Sequence, residues 1–340
     1  MATTDSIYLG NPNLKKANTP MEFTPVQIQE FVKCKGDPVY FCKNYIKIVS
    51  LDEGLVPFGM YDFQEDMVNK FHENRFNIAK LPRQTGKSTT VVSYLLHYIV
   101  FNDNVNIGIL ANKASTSREL LSRLQLAYEN LPRWMQHGIL AWNKGNVELE
   151  NGSKILAAST SSSAVRGMSF NIIFLDEFAF VPNHVAEQFF ASVYPTITSG
   201  KSTKVIIIST PNGMNMFYKL WHDAERGKNE YTTTEVHWSQ VPGRDANWKA
   251  QTIANTSERQ FVQEFECEFL GSVDTLISAS KLRTMVYEDP LHASKGLHTY
   301  EQPIEGHQYV MTVDVSRGCL LYTSDAADEG LGVDLGGRRI

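Results

Sequence analysis

Residues 81–89 read Leu-Pro-Arg-Gln-Thr-Gly-Lys-Ser-Thr, and this stretch decides the fold. It follows the apolar run from Phe76 to Leu81 and precedes the largely apolar residues 91–96, an order that predicts a strand, a tight loop and a helix. Glycine followed by Lys87 and Ser88 at the start of a helix is the working end of a phosphate-binding loop. Main-chain N–H groups of such a loop point at phosphate oxygens, the lysine adds a positive charge, and the hydroxyl can hold Mg²⁺.

The loop departs in one place from the usual pattern of this motif. The pattern G-x-x-x-x-G-K opens with a glycine, and Leu81 stands at that position instead. Gly-Lys-Ser also occurs by chance in ordinary turns, so the triplet alone does not decide between the two interpretations. The strand before the loop, the helix after it and an acidic partner downstream favour a nucleotide site, whose binding residues are Gln84, Thr85, Gly86, Lys87, Ser88 and Thr89.

A short apolar run ends in two carboxylates further along the chain. Residues 170–177 read Phe-Asn-Ile-Ile-Phe-Leu-Asp-Glu, which is typical of a buried parallel strand. Open α/β sheets bind ligands at the carboxyl ends of such strands. We therefore expect Asp176 to hold Mg²⁺ and Glu177 to orient and deprotonate an attacking water. The alternative is a strand that ends in a solvated acidic turn, and the phosphate-loop motif makes it less favoured.

A third strand end supports this acidic pair. Residues 205–208 form an apolar run that leads into Ser209-Thr210-Pro211-Asn212-Gly213. The hydroxyls of Ser209 and Thr210 could sense the γ-phosphate from the tip of a buried strand and pass its loss onward, which gives these residues a coupling role. The same residues also fit a helix N-cap followed by proline, and the two interpretations are compatible.

Composition bounds the class of protein. A chain of 340 residues can hold one large α/β domain and something smaller. No apolar run reaches the ~18 residues of a membrane span, the N-terminus lacks the apolar core of a signal peptide, and the four scattered cysteines indicate neither zinc nor a disulfide framework, which fits a reducing cytosol. The net charge of −5 lacks the basic balance that nucleic-acid binding usually shows, although a local basic patch would be enough for such binding.

The sequence pattern divides the chain into five parts. Residues 1–24 are expected to form a flexible lead, and residues 25–270 an α/β domain with helical additions at both ends. Residues 271–308 include prolines and polar side chains typical of a linker. Residues 309–318 predict one new apolar strand, whereas residues 319–340 have no strand alternation and look like a non-native tail.

Local patterns within the α/β domain predict further elements. Residues 41–48 are expected to form a short helix, and residues 115–131 an amphipathic helix with Ser115 as its N-cap. The dipeptide Asn151-Gly152 between two short apolar runs predicts a hairpin turn. The remaining apolar runs are expected to form a parallel sheet with helices between its strands.

Together these motifs resemble the large terminase subunit of tailed double-stranded-DNA bacteriophages, of the T-even-like branch. The resemblance extends over roughly residues 25–318 and keeps the family's order of segments. The absence of the first glycine of the loop is itself usual in this family. The segments that carry the resemblance are Asp37–Phe41, Tyr61–Gln64, Leu81–Thr89, Ala164–Gly167, Phe174–Asn183, Ser209–Gly213 and Thr275–Ser278.

The resemblance implies a fold, an activity and partners. The implied fold is α/β, a P-loop NTPase of the ASCE type with a mostly parallel sheet flanked by helices, followed by the start of an RNase H-like domain. The implied activity is a motor ATPase that uses ATP and Mg²⁺ to package viral DNA into the prohead, together with an endonuclease that cuts concatemeric DNA. The implied partners are double-stranded phage DNA, the portal protein, the small terminase subunit and further copies in a ring on the portal, with no membrane. The implied location is the host cell cytoplasm and, transiently, the prohead.

The resemblance also implies roles for four individual residues. Gln64 matches an adenine-reading position, Arg83 an arginine that can reach the γ-phosphate, and Arg166 a candidate arginine finger acting in cis or on a neighbouring subunit. Without the resemblance, Gln64 would be a solvated helix residue and Arg166 a partner in a surface ion pair. Asp314 matches the first metal-binding aspartate of the nuclease domain. The family pattern stops after Gly318, so a truncated nuclease without a complete two-metal site is expected.

Two other functions are compatible with the same motifs. A helicase-like DNA translocase shares the phosphate loop, the acidic pair and the Ser-Thr strand end, and measured strand separation would favour it. A non-hydrolysing ATP-binding assembly module would dock on the portal without turnover. Glu177 argues against that module, because a protein that only binds nucleotide does not need a general base.

Overall fold

The computed structural model describes residues 6–50, 52–161, 168–200, 202–269, 290–294 and 297–307. The candidate residues Arg166 and Asp314 lie outside the described residues, as do the predicted strand at residues 309–318 and the predicted tail at residues 319–340. No helix among the described residues combines the length and the apolarity that a membrane crossing requires.

Strands and helices alternate along most of the described chain. The strands are β1 (Ile7–Tyr8), β2 (Asn11–Lys15), β3 (Lys47–Ser50), β4 (Gly54–Pro57), β5 (Phe76–Lys80), β6 (Asn106–Ala111), β7 (Ile139–Trp142), β8 (Asn146–Leu149), β9 (Lys154–Ser159), β10 (Ile172–Asp176), β11 (Lys204–Ser209), β12 (Thr232–Glu235), β13 (His292–Ser294) and β14 (Leu297–Thr299). The helices are α1 (Pro25–Gly36), α2 (Pro38–Tyr45), α3 (Asp62–Glu73), α4 (Lys87–Phe101), α5 (Ala114–Glu129), α6 (Asn183–Ser199), α7 (Met216–Glu225), α8 (Ala246–Asn255) and α9 (Glu258–Glu264).

One sheet organises the larger part of the chain. Among the described residues it contains eight strands in the order β12-β5-β11-β10-β6-β9-β8-β7. Neighbours from β12 to β9 pair in parallel, while β8 pairs antiparallel with both β9 and β7. The predicted α/β fold with a mostly parallel sheet is therefore confirmed. Because β5, β11, β10 and β6 are adjacent and parallel, their carboxyl ends meet at one edge of the sheet.

Strand β10 illustrates how both faces of the sheet are buried. Ile172 and Phe174 pack into one hydrophobic core with residues of α3, α4 and α5, whereas Ile173 and Leu175 pack into a second core with residues of α6 and α7. Successive side chains of a strand point to opposite faces, so a strand covered on both sides needs an unbroken apolar run. That requirement produces the sequence pattern from which this strand is predicted.

Helix α4 fixes the phosphate loop from behind. Most of its residues are buried, because the helix packs against α2, α3 and α5. Its N-cap is Gly86, which adopts the left-handed conformation at φ 71°. The loop therefore joins a buried strand to a buried helix, and both of its ends are rigid.

The N-terminal region differs from the sequence-based expectation in two places. The expected flexible lead at residues 1–24 contains the hairpin β1–β2, in which Leu14 is buried and the Lys15 N–H donates to Gln136 Oε1 at 3.2 Å. The helix expected over residues 41–48 ends at Tyr45, because the following residues pair as β3 with β4. The first difference arises from a contact with a residue distant in sequence, and the second from pairing within a local hairpin, β3–β4.

Two further predictions concern loops and helix ends. The hairpin turn at Asn151-Gly152 is confirmed, since β8 and β9 are antiparallel and Gly152 has φ 79°. Ser115 is not the N-cap of α5, because the helix begins at Ala114 and Lys113 occupies the N-cap position without a side-chain hydrogen bond. This shift brings a lysine rather than a serine to the start of the helix.

The chain divides into two compact units, residues 1–283 and 284–340. The boundary falls inside the linker predicted for residues 271–308. In the second unit, part of that predicted linker forms the antiparallel hairpin β13–β14, in which Ala293 pairs with His298.

Candidate active site

The phosphate loop needs a glycine at position 86 for two reasons. Gly86 has φ 71°, a conformation that L-residues with a side chain adopt only at a cost. A Cβ atom at this position would also lie 2.6 Å from Nε2 of Gln64. The loop is anchored at its start by the Leu81 N–H, which donates to the Ser209 carbonyl oxygen at 3.2 Å.

The structure brings the loop and the two acidic residues together at the carboxyl ends of β5 and β10. Lys87 Nζ lies 3.0 Å from Glu177 Oε1, and the lysine side chain is only 7% exposed. The Ser88 hydroxyl donates to the carboxylate of Asp176, with both oxygens at 3.2 Å. Four side chains that come from two segments nearly ninety residues apart therefore form one polar cluster.

The Asp176 carboxyl sits in the least solvated part of this cluster. Burial, together with the neighbouring charge of Glu177, raises its pKa from an ordinary value of 3.8 to about 6. Lys87 and the Ser88 hydroxyl oppose this shift without cancelling it. The site thus holds a carboxylate whose negative charge is not fully compensated by the protein, which is a condition that favours cation binding.

Glu177 is strained and incompletely paired. It adopts φ 50° and ψ 43°, a left-handed conformation that costs of order 1 kcal/mol in a non-glycine residue. Its Oε2 atom is buried and has no hydrogen-bond partner among the described residues. Buried acceptors are almost always paired, so an unpaired carboxylate oxygen in a strained residue indicates a functional position.

The strand end after β11 contacts the turn that follows Glu177. The Ala179 N–H donates to the Ser209 hydroxyl oxygen at 3.1 Å, and the side-chain amide of Asn215 donates to the Ala179 carbonyl oxygen at 2.6 Å. Thr210 is fully buried, and its hydroxyl has no hydrogen-bond partner in the described part of the chain. The Ser209 contact connects one of the two predicted coupling residues to the turn after the acidic strand end.

Gln64 and Arg83 are both in contact with the loop region. Gln64 is buried, its Nε2 donates to the Thr85 carbonyl oxygen at 2.9 Å, and its Oε1 accepts from the Tyr61 N–H at 3.0 Å. Gln64 is therefore not a solvated helix residue. Arg83 pairs with Glu264 of α9, with Nε 2.8 Å from Oε2. Adenine reading by Gln64 and γ-phosphate contact by Arg83 stay predictions.

A cavity of about 570 Å³ opens between the loop and the start of α5. The loop residues from Arg83 to Thr89 and Glu177 line one wall. The other wall was not predicted from the sequence and consists of Asn112, Lys113, Thr116 and Arg123, with Phe180 beside Glu177. The available signal was positional: Asn112 directly follows β6, which neighbours β10 in the sheet, and parallel strand ends share one edge.

The donor set fits a nucleoside triphosphate with Mg²⁺. Gly86 and the other loop residues from Arg83 to Thr89 line the cavity with main chain, and Lys87 supplies a buried ammonium group beside it. The Ser88 hydroxyl and the Asp176 carboxylate present the hard oxygen ligands that Mg²⁺ prefers. The unpaired Oε2 of Glu177 can accept a proton or a hydrogen bond from water.

A parallel sheet with a phosphate loop after one strand and an Asp-Glu pair after another defines the class of P-loop NTPases with a glutamate beside the loop. Residues 78–284, more than half of the chain, match the family described as "Terminase large subunit, T4likevirus-type, N-terminal". This chain therefore belongs to the terminase large subunit family.

Solved structures support the same fold. A variant of the large terminase ATPase domain of Thermus phage P74-26 superposes with a TM-score of 0.54 at 18% identity, covering 62% of this chain and 95% of that domain. The large terminase of bacteriophage HK97 gives a TM-score of 0.58 at 16% identity, covering 73% of this chain and 58% of that protein. At these identities the likeness concerns the fold alone.

Curated relatives come from herpesviruses. The tripartite terminase subunit 3 of human herpesvirus 8 is 22% identical over 167 residues, and that of equine herpesvirus 2 is 18% identical over 178 residues. The matches cover 46% and 50% of this chain. They cover only 22% and 25% of those proteins, so this chain corresponds to a minor part of their length.

Proposed function

We propose that this chain is the ATP-hydrolysing motor subunit of a viral terminase, which packages double-stranded DNA into the prohead. The observation that carries the proposal is the 3.0 Å contact of Lys87 with Glu177 beside the Ser88–Asp176 hydrogen bond, at the carboxyl ends of parallel strands of one sheet. Family membership supports the same activity. A cation for phosphates, ligands for Mg²⁺ and a base for water are the parts that phosphoryl transfer to water requires.

Each residue of the cluster then has a separate task. Main-chain N–H groups of the loop and the Lys87 ammonium hold the terminal phosphates, while Ser88 and Asp176 would hold Mg²⁺. When bound, Mg²⁺ neutralises charge that develops on the phosphate oxygens. Glu177 orients the attacking water and accepts its proton at Oε2, the oxygen to which no described residue donates a hydrogen bond.

The coupling of hydrolysis to DNA movement passes through Ser209 and Thr210 in this proposal. The Ala179 N–H donates to Ser209 at 3.1 Å, and Ala179 lies two residues after Glu177. A change at Glu177 therefore has a short hydrogen-bonded route into the strand end of β11. The rigid alternative, in which these hydroxyls only cap the turn, predicts normal DNA movement by a Ser209→Ala variant.

The finer parts of the proposal concern residues and partners that rest on family resemblance. Arg166 acts as an arginine finger, in cis or on the next subunit of a ring, and Arg83 contacts the γ-phosphate. The ring sits on the portal protein and works with the small terminase subunit in the host cell cytoplasm, transiently bound to the prohead. Nuclease activity of the family depends on a metal site to which only Asp314 is matched in this chain.

ATP turnover by the purified chain, with and without double-stranded DNA, tests the proposal. Glu177→Gln keeps the shape of the side chain and removes the base, so it should bind nucleotide without turning it over. Glu148→Gln is a matched control, because Glu148 also pairs with a lysine, Lys154, at 3.2 Å and is similarly exposed, 33% against 30%. Equal turnover by the Glu177→Gln variant and the parent would disprove the assignment, and ATP-driven strand separation would favour a helicase.

The role of Arg166 across subunits has its own test. Arg166→Ala protein mixed with Lys87→Ala protein forms interfaces in which an intact loop meets an intact finger. Recovery of turnover in the mixture supports action in trans, because a finger supplied in trans is worth about 10³–10⁵ in rate. No recovery by variants that demonstrably co-assemble would show that Arg166 acts in cis or only structurally.

A further inference from the structure

Arg244 contacts the main chain of the phosphate loop. Its Nη2 atom donates to the carbonyl oxygens of Arg83 at 2.9 Å and Gln84 at 3.1 Å. Arg244 lies just before α8, more than 150 residues beyond the loop in sequence. No motif of the sequence points to it, and the established motifs of the site do not include it.

The guanidinium of Arg244 is held in place by aromatic rings. It lies 4.8 Å from the centre of the Trp248 ring and 5.6 Å from that of Phe265. Stacking on aromatic rings suits a flat guanidinium and fixes its orientation. Its other terminal nitrogen, Nη1, is buried and has no partner among the described residues. Arg244 is half-buried, and its guanidinium is oriented by two aromatic rings and directs two hydrogen bonds at one loop.

Helix α9 adds a second attachment at the same place. The Arg83 N–H donates to the carbonyl oxygen of Glu264 at 3.0 Å, and the Arg83 side chain pairs with the Glu264 carboxylate at 2.8 Å. Residues 244–266, named here the α8–α9 segment, therefore reach the loop through four interactions at two consecutive residues. Gln84 is also in the left-handed conformation at φ 57°, which requires support from its surroundings.

The two carbonyl contacts determine where the next N–H groups point. A peptide group is planar and trans, so its carbonyl and its N–H point in opposite directions. The carbonyl of Arg83 shares a peptide group with the N–H of Gln84, and the carbonyl of Gln84 shares one with the N–H of Thr85. Both N–H groups therefore point away from Arg244. Gln84 and Thr85 line the cavity, and no acceptor for either N–H occurs among the described residues.

We propose that Arg244 is a positioning residue of the phosphate loop, which turns the Gln84 and Thr85 N–H groups towards the phosphates by holding the carbonyls of Arg83 and Gln84. The inference deepens the proposed function, since it assigns a device to the same nucleotide site. It also couples the α8–α9 segment to the loop. A nucleotide that moves these two peptide groups must also move the Arg244 guanidinium, which stacks on Trp248 of that segment.

Three variants test this role. Arg244→Gln removes the positive charge and shortens the side chain. Arg244→Lys keeps a charged donor but loses the flat group that stacks on Trp248. Lys249→Gln is the matched control. Lys249 belongs to the same segment, packs over the rings of Trp238 and Phe261, and pairs with Glu266 at 2.6 Å instead of with the loop.

The measurements are the affinity for a fluorescent ADP analogue and the hydrogen exchange of the amides of residues 84–86, neither of which needs turnover. Arg244→Gln should bind the analogue about tenfold or more weakly and exchange the loop amides faster, as expected for loss of hydrogen bonds from a charged donor. Arg244→Lys should be intermediate, and Lys249→Gln should match the parent in both measurements.

Each outcome either supports or overturns the proposed role of Arg244. Parent-like affinity and exchange in Arg244→Gln would overturn the proposal, as would equal losses in Arg244→Gln and Lys249→Gln, which indicate a purely structural segment. If Arg244→Gln melts well below the control, Arg244→Lys becomes decisive, and parent-like behaviour of that variant overturns the proposal. A parent that binds the analogue but does not hydrolyse ATP contradicts the proposed function and leaves this comparison valid.

Discussion

The two walls of the cavity differ in how far their cationic side chains are exposed to solvent. On the loop wall, Lys87 is 7% exposed and pairs at 3.0 Å with Glu177, which is 30% exposed. On the α5 wall, Arg123 is 49% exposed and pairs at 3.3 Å with Glu119, which is 62% exposed, and Lys113 is exposed as well. Both walls carry cations and line one space, but only the loop wall contains a buried cation, Lys87.

This difference explains why the loop wall could be predicted from the sequence and the α5 wall could not. A buried ammonium without a partner would cost several kcal/mol, so Lys87 requires a particular loop and a particular acid, and the requirement is visible as a motif. Solvated cations such as Lys113 carry no such requirement and resemble any other surface lysine. We therefore expect substitutions on the loop wall to have large effects and substitutions on the α5 wall to have small ones.

The largest expected effect is on the loop wall at Glu177. Glu177→Gln should lower the ATP turnover number by about 10²–10⁴ through loss of the general base, with nucleotide affinity retained. Lys87→Ala should lose both affinity and turnover, because the phosphates lose their buried cation. Steady-state turnover and equilibrium binding of a fluorescent nucleotide separate the two. Full turnover in Glu177→Gln would contradict the expectation that substitutions on the loop wall have the larger effects.

A second change on the loop wall concerns the backbone. Gly86→Ala places a Cβ 2.6 Å from Gln64 Nε2 and forces a side-chain residue to φ 71°. Because Gln64 is buried and bound to Thr85, it cannot easily give way, and nucleotide affinity should fall by about tenfold, or about 1.4 kcal/mol. Gly36→Ala is the control, since no atom lies within 4 Å of its Cβ position. Equal affinities of the two variants would mean that the loop tolerates the strain.

Lys113→Ala tests the α5 wall. An exposed charge contributes about 0.2–1 kcal/mol to such an interaction, so nucleotide affinity should fall by only about five-fold or less. The loss should shrink further between low salt and about 0.15 M salt, where exposed charges are screened. Lys47→Ala, an exposed lysine on β3, provides the comparison for a general charge effect. A loss of a hundredfold or more would place Lys113 in the same category as Lys87.

A similar contrast separates the parts of the fold that could be predicted from the sequence from the parts that could not. Strands β5, β10 and β11 are covered on both faces, so their continuous apolar runs predicted them, and the parallel sheet then fixed which motifs meet. The hairpin β1–β2 depends instead on a distant partner, Gln136, and the role of β3 depends on pairing with β4. These contacts are not encoded in any local periodicity.

The candidate site follows this rule as well. Gly86, Lys87, Ser88, Asp176 and Glu177 were expected together, and the structure places them in one cluster. The α5 wall and Arg244 were not expected. Their side chains act through position in the fold, at a neighbouring strand end or from a helical segment far along the chain. Only the order of strands in the sheet, combined with the tertiary fold, shows that they face the loop.

The remaining expected effect concerns the stability of the protein rather than nucleotide binding, and it has the opposite sign from the losses above. The Asp176 pKa of about 6 in the folded protein, against 3.8 for an ordinary aspartate, means that its ionised form is disfavoured by burial. Well below pH 3.8 the group is protonated in both the folded and unfolded chains and costs nothing. As pH rises from about 4 to about 6, the unfolded chain loses its proton first, so stability falls. Above that range the cost is complete, on the order of 3 kcal/mol at most.

Asp176→Asn should therefore raise the melting temperature at pH 7.5 without nucleotide or divalent cation, by about 2–4 °C for each kcal/mol recovered. Asparagine can still accept the hydrogen bond of Ser88, so the cluster keeps its geometry while the uncompensated charge disappears. The difference between variant and parent should shrink as pH falls and vanish well below pH 3.8, where the carboxyl is protonated in both states. It should reverse with ATP and Mg²⁺, because only the parent retains the carboxylate that would bind the metal ion. Thermal melts at several pH values decide the matter, and a variant less stable than the parent at pH 7.5 would show that the Asp176 charge is already compensated by Lys87.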